Sequence, residues 1–145
     1  LGGVLASGDG EHLLTAYKRA ANILRIEEKK DGVSYGDAGV DDGLLRETDE
    51  RVLAARLGEV SELAEAALDQ EEFTTAMSAL ARLRKPVDDF FDNVTVNCDD
   101  ANLRRNRLRL LSKIRDTLNQ VADFSQIEGS RLHVAMGLRL RRWPV

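Results

Sequence analysis

At 145 residues, 43% of them hydrophobic, the chain has room for one domain with a buried core. A single cysteine, Cys98, excludes an internal disulfide and a cysteine-based zinc site and fits a reducing compartment. The net charge of −4 hides an asymmetry: residues 1–100 carry 11 Lys+Arg against 22 Asp+Glu (−11), and residues 101–145 carry 10 against 3 (+7). An acidic chain with its cations gathered on one side suits a polyanionic partner, or else a basic helix that an acidic one complements.

The start, LGGVLASGDG, lacks Met and any basic-then-apolar signal pattern, and no stretch approaches the ~20 apolar residues of a membrane span. The chain therefore reads as a piece of a longer cytosolic protein. Aromatics are few, while Leu, Ala, Arg and Glu are plentiful, which favours helices over sheets.

The first helix is expected from about Glu11 to Lys29. Leu13, Leu14, Tyr17, Ala20, Ala21 and Leu24 recur at three- and four-residue spacing and form its buried stripe. Lys18 and Arg25 flank that stripe, and Arg19 falls on the far side. Lys29 and Lys30 suit a helix C-terminus, and Gly32 ends the helix. From Asp31 to Gly43 four Gly and four Asp in thirteen residues read as a mobile acidic loop. Asp37, Asp41 and Asp42 are oxygen ligands there, but their spacing lacks the EF-hand alternation and no Glu closes it.

A second helix is expected over about Leu44 to Leu68, burying a face that runs from Val52 and Leu53 through Leu57, Val60 and Leu63 to Leu68. Its outer side, with Glu47, Asp49, Glu50, Glu59, Glu62 and Glu65, repels phosphates. A third helix starts near Asp69 as N-cap, with Phe73, Met77, Leu80 and Leu83 in the core. Pro86 either kinks that helix or opens a short new one carrying Val87, Phe90, Phe91 and Val94. Phe90 and Phe91 suit core packing, or stacking on bases.

After a turn at Asn97–Asp100, the last long helix runs from about Asn102 to Phe124, with Leu103, Leu110, Leu111, Ile114, Leu118 and Val121 aligned. Arg107 falls inside that stripe, and a buried Arg must be paired. Asp88 or Asp92 is the expected partner, which makes Arg107 a structural anchor. Residues 130–145, with four Arg, one Trp and no acid, form a basic extension of undecided role: amphipathic helix, RNA-attracting tail or appendage.

No glycine-rich phosphate loop, zinc-ligand pair or nucleophile elbow is present. His12 and His133 lie far apart, and the Asp88, Asp89, Asp92 cluster suits ion pairing. No metal site, cofactor site or catalytic role is expected of this chain itself.

In order along the chain stand AYKRAANIL (16–24), VDDGLL (40–45), PVDDFFDNVTVN (86–97), LRRNRLRLL (103–111) and VADFSQIEG (121–129). Together they resemble the DALR-type anticodon-binding domain at the C-terminus of bacterial glycyl-tRNA synthetase beta subunits, over roughly residues 4–129. The resemblance implies an all-α fold, a single bundle of about four to six helices. It implies a domain over residues 1–129 that holds the anticodon region of glycine tRNA. The parent would be a cytoplasmic alpha–beta heterotetramer that joins glycine to tRNA with ATP and magnesium, the alpha subunit carrying the activation chemistry.

Unpaired bases in such a loop are open to stacking and to hydrogen bonding at their edges. Lys18, Arg19 and Asn22, polar residues within a family-like KRxxN piece, are the first candidates for RNA contact, with Arg25 one turn on. Arg104, Arg105 and Arg109 suit backbone phosphates or plain solvation. The alternative reading is a protein-interaction bundle that docks a partner subunit through the basic last helix.

Overall fold

A computed structural model of the chain describes residues 7–36 and 38–121. Asp37, His133, the VADF segment beyond Val121 and the 130–145 extension lie outside the described residues. The described residues form five α-helices and two short 3-10 turns: α1 (Ser7–Asp31), a turn at Asp42–Leu44, α2 (Thr48–Asp69), α3 (Phe73–Leu80), a turn at Ala81–Leu83, α4 (Arg84–Asn93) and α5 (Ala101–Val121). No strand occurs among the described residues. The all-α expectation therefore holds.

Each helix boundary has a local cause. Gly32, at φ 71°, ends α1 in the left-handed conformation that glycine adopts freely. Glu47 and Glu50 close a capping box at the start of α2. Asp69 is the last residue of α2 and caps no third helix, contrary to expectation. Beyond it the Glu71 N–H donates to Leu68 O (3.0 Å) and the Glu72 N–H to Ala67 O (2.7 Å), a Schellman closure. Glu71 holds φ 59° there, a conformation that favours glycine. Pro86 sits in the first turn of α4, where a missing N–H leaves no helical bond unmade. Asp100 caps α5, its carboxylate accepting from the N–H groups of Asn102 (2.9 Å) and Leu103 (3.1 Å).

Helix α5 runs through the middle of the bundle. Tyr17–Asn119 (3.0 Å) and Arg104–Asp31 (2.8 Å) align α1 antiparallel to it. Arg107–Glu50 (2.9 Å) and Ser61–Gln120 (3.0 Å) align α2 parallel to it. Leu13, Leu24, Leu53, Leu57, Leu80, Phe90, Leu110, Leu111, Ile114 and Leu118 form a fully buried core, each large side chain contributing roughly 1.5–3 kcal/mol. Val52 and Leu63, expected inside, stand 41% exposed, so the buried face of α2 is narrower than its apolar run.

Two points of the Asp31–Gly43 loop, Tyr35 and Asp41, are tied to the helices. Tyr35, 6% exposed, is buried within it. The Tyr35 N–H donates to Glu28 (2.8 Å) and its hydroxyl to Asp31 (2.6 Å). Further on, Asn106 clamps the backbone of Asp41 through both of its polar groups, accepting from the N–H (2.7 Å) and donating to the C=O (3.0 Å).

Candidate functional site

The basic residues divide by where their charges go. On α5, Arg104, Asn106 and Arg107 of the LRRNRL run turn inward, while Arg105 stays exposed. Arg104 donates to Asp31 (2.8 Å), Glu27, Asn97 (2.7 Å) and the Tyr35 hydroxyl (3.4 Å). Those bonds draw the end of α1, the acidic loop and the turn before α5 onto one guanidinium. They also shift pKa values. The Tyr35 hydroxyl, then Arg104, hold the Asp31 carboxyl below its usual value, and burial with Asp31 beside it pushes the Tyr35 phenol up. Arg104, expected at a phosphate, is committed to the scaffold.

Arg107 is the buried anchor its wheel position implies, but its partner is neither Asp88 nor Asp92. Its guanidinium meets Glu50 through two bonds (2.9 and 3.1 Å), donates to Thr95 O (2.8 Å) and lies 3.5 Å from Glu47. Glu50 is fully buried, and its carboxylate also accepts from the N–H groups of Arg46 (3.1 Å) and Glu47 (2.9 Å). Such complete pairing is what a buried charge requires. Asp88 instead faces Arg84 (3.8 Å), one turn away on α4. Arg105 is exposed, bonded to Asn102 (3.3 Å), and Arg109 lines an open groove of about 300 Å³ together with Lys113, Gly36, Ala38 and Val40.

On α1 the polar residues turn outward. Lys18, Asn22, Arg25 and Lys29 are exposed and follow one another at four- and three-residue steps, so they form one stripe. Arg25 donates to the Asn22 side chain, which fixes the pair without drawing it into the core. Arg19 does not lie on an empty far side. Its guanidinium carbon sits 4.3 Å from the ring centroid of Phe91 on α4, a cation–π contact. Phe90 is fully buried, whereas Phe91 is half-buried and meets Phe90 edge-on at 5.7 Å. Phe90 lies in the core, and Phe91 packs against the core at its edge. Between α1 and α4 a cleft of about 510 Å³ opens beside Arg19 and Phe91, bordered by His12, Thr15, Asp88 and Asp92.

Outward polar residues on one helix and inward ones on another are features of this chain that similarity to known proteins can be set against. A family model described as the DALR anticodon binding domain matches residues 13–128. The chain belongs to this family. It is 62% identical over 129 residues to the glycine--tRNA ligase beta subunit of Rhodospirillum centenum, covering 89% of this chain and 18% of that protein. It is 48% identical over 134 residues to the beta subunit of Phenylobacterium zucineum, covering 89% and 19%. The chain thus spans less than a fifth of the length of these curated relatives.

Within this DALR domain, sequence reasoning missed Asn106, Glu50 and the Arg19–Phe91 pair. Glu50 carried a signal, since it stands three residues after Glu47 at a helix start, the capping-box spacing. Among the described residues no helix is long and apolar enough to cross a membrane.

Proposed function

We propose that this domain grips the anticodon region of glycine tRNA as part of a glycine--tRNA ligase beta subunit, with the outer stripe of α1 as its principal RNA contact. The observation that carries this reading is the outward stripe Lys18–Asn22–Arg25 beside the Arg19–Phe91 pair, in a domain of an anticodon-binding family. Lysine and arginine neutralise phosphates, Asn22 offers an amide to base edges, and the aromatic–guanidinium pair offers a stacking surface. Arg105 and Arg109 are secondary contacts to the backbone. Residues 1–129 form the binding domain and 130–145 an extension outside it.

The parent enzyme acts in the cytoplasm with an alpha subunit in a heterotetramer, and ATP and magnesium serve its aminoacylation. The α1–α4 cleft does not suit ATP, because Glu11, Asp88 and Asp92 border it and repel a triphosphate. The docking alternative is weakened, since Arg104 and Arg107 are withdrawn from the surface of the basic helix it requires.

The test is a binding titration of the chain with the glycine tRNA anticodon stem-loop and with the same stem-loop carrying a swapped anticodon. Tighter binding of the glycine version supports the reading; equal binding of both, or binding of neither, overturns it.

A further inference from the structure

The α1–α4 cleft combines features that a phosphate-binding surface would not have. Its floor is the Phe91 ring with the Arg19 guanidinium over it at 4.3 Å, and its borders include the carboxylates of Glu11, Asp88 and Asp92. Carboxylates repel phosphate but accept hydrogen bonds from amines. Arg107 pairs with Glu50 and not with Asp88 or Asp92, and among the described residues Asp88 lies 3.8 Å from Arg84 across an exposed helix turn. At about 510 Å³ the cleft falls within the range of small-ligand sites. Lys18, adjacent to Arg19 on the exposed stripe, provides a cation outside the cleft for the phosphate that follows a base.

We propose that this cleft seats one unpaired nucleobase, stacked on the outer face of the Arg19 guanidinium that Phe91 backs, with its exocyclic amine donating to Asp88 or Asp92. The site therefore prefers cytosine, adenine or guanine to uracil, which has no exocyclic amine. The inference rests on the RNA-binding reading above and names the chemistry by which the same face selects its ligand.

The experiment titrates the 145-residue chain with CMP, AMP, GMP and UMP separately while following the NMR signals of Arg19, Phe91 and their neighbours. Free nucleotides keep this test apart from anticodon recognition. The three amine-bearing nucleotides shift these signals, and UMP binds roughly fivefold more weakly, about the effect of one net hydrogen bond. The double variant Asp88→Asn/Asp92→Asn narrows that gap, because an amide donates to uracil's carbonyl as readily as it accepts from an amine. Arg19→Ala weakens all the nucleotides by about 2- to 5-fold, the span of one exposed cation–π contact. The proposal is overturned if no nucleotide shifts the cleft signals, if UMP binds the wild type as well as the others, or if the Asn variant leaves the gap intact. Selective binding of the glycine stem-loop alongside any of those results would sink the cleft while sparing the function.

Discussion

Helices α1 and α5 are both basic along a stripe, yet they spend their cations in opposite directions. On α5, Arg104, Asn106 and Arg107 each fasten a different segment: the end of α1, the Asp41 backbone and the start of α2. On α1, among the described residues, Lys18, Asn22 and Arg25 make one exposed Asn22–Arg25 bond and hold no other segment. Two of the five arginines of α5, Arg104 and Arg107, are therefore scaffold, while Lys18, Asn22 and Arg25 of α1 stand exposed. Charge density along a sequence does not identify an RNA site unless it is known which acids the fold brings to meet it.

The comparison breaks first at the buried pair. Arg107→Ala leaves Glu50 charged and unpaired inside the protein and lowers stability by about 3–5 kcal/mol, read from urea unfolding. A Glu50→Leu/Arg107→Leu double variant loses less than the Arg107→Ala single, since no orphaned charge remains. If Arg107→Ala unfolds like the wild type, the scaffold account of α5 is wrong. Next comes Asn106→Ala, which removes two bonds to the Asp41 backbone. A loss of about 1–3 kcal/mol and faster hydrogen exchange at the 41 amide are expected; unchanged exchange would mean that the loop holds itself.

How far these features were legible depends on how far apart in the chain the partners lie. Arg107 declares itself buried by its place in an apolar stripe, which is a local pattern. Its partner does not, because Glu50 stands 57 residues away among acids that the helix wheel assigns to the surface. Asp88 and Asp92 drew attention because they are near in sequence. The Asp31–Gly43 loop is a similar case: its glycines predict a loop, while its anchor at Asp41 comes from Asn106, 65 residues on. On α1 the KRxxN residues are outward, as expected, but the ring beneath Arg19 belongs to α4 and only the fold reveals it.

A smaller effect sharpens the comparison through pH. Asp31 has its pKa depressed in the folded state, so its contribution is present at neutral pH and is lost as the pH falls below about 4. Tyr35 has its pKa raised, so its contribution is present below about pH 10 and is lost as the pH climbs through the raised value. Arg104→Ala flattens the acid limb of the stability profile, and Tyr35→Phe flattens the alkaline one. Unaltered limbs would show that this network does not couple to folding.

The smallest effect is a gain. Glu71→Gly relieves the left-handed conformation that closes α2 and raises stability by about 1 kcal/mol, seen as a higher melting temperature. A fall would show that the Glu71 side chain contributes more than its backbone strain removes.

The central claim, that α1 rather than the arginine-rich α5 presents the principal RNA grip, is tested most directly by the affinity of Lys18→Ala/Arg25→Ala for the glycine tRNA anticodon stem-loop across a salt series. The account predicts weaker binding than the wild type, a salt dependence shallower by up to about two phosphate contacts, and an unchanged melting temperature. Affinity and salt slope equal to those of the wild type would contradict it.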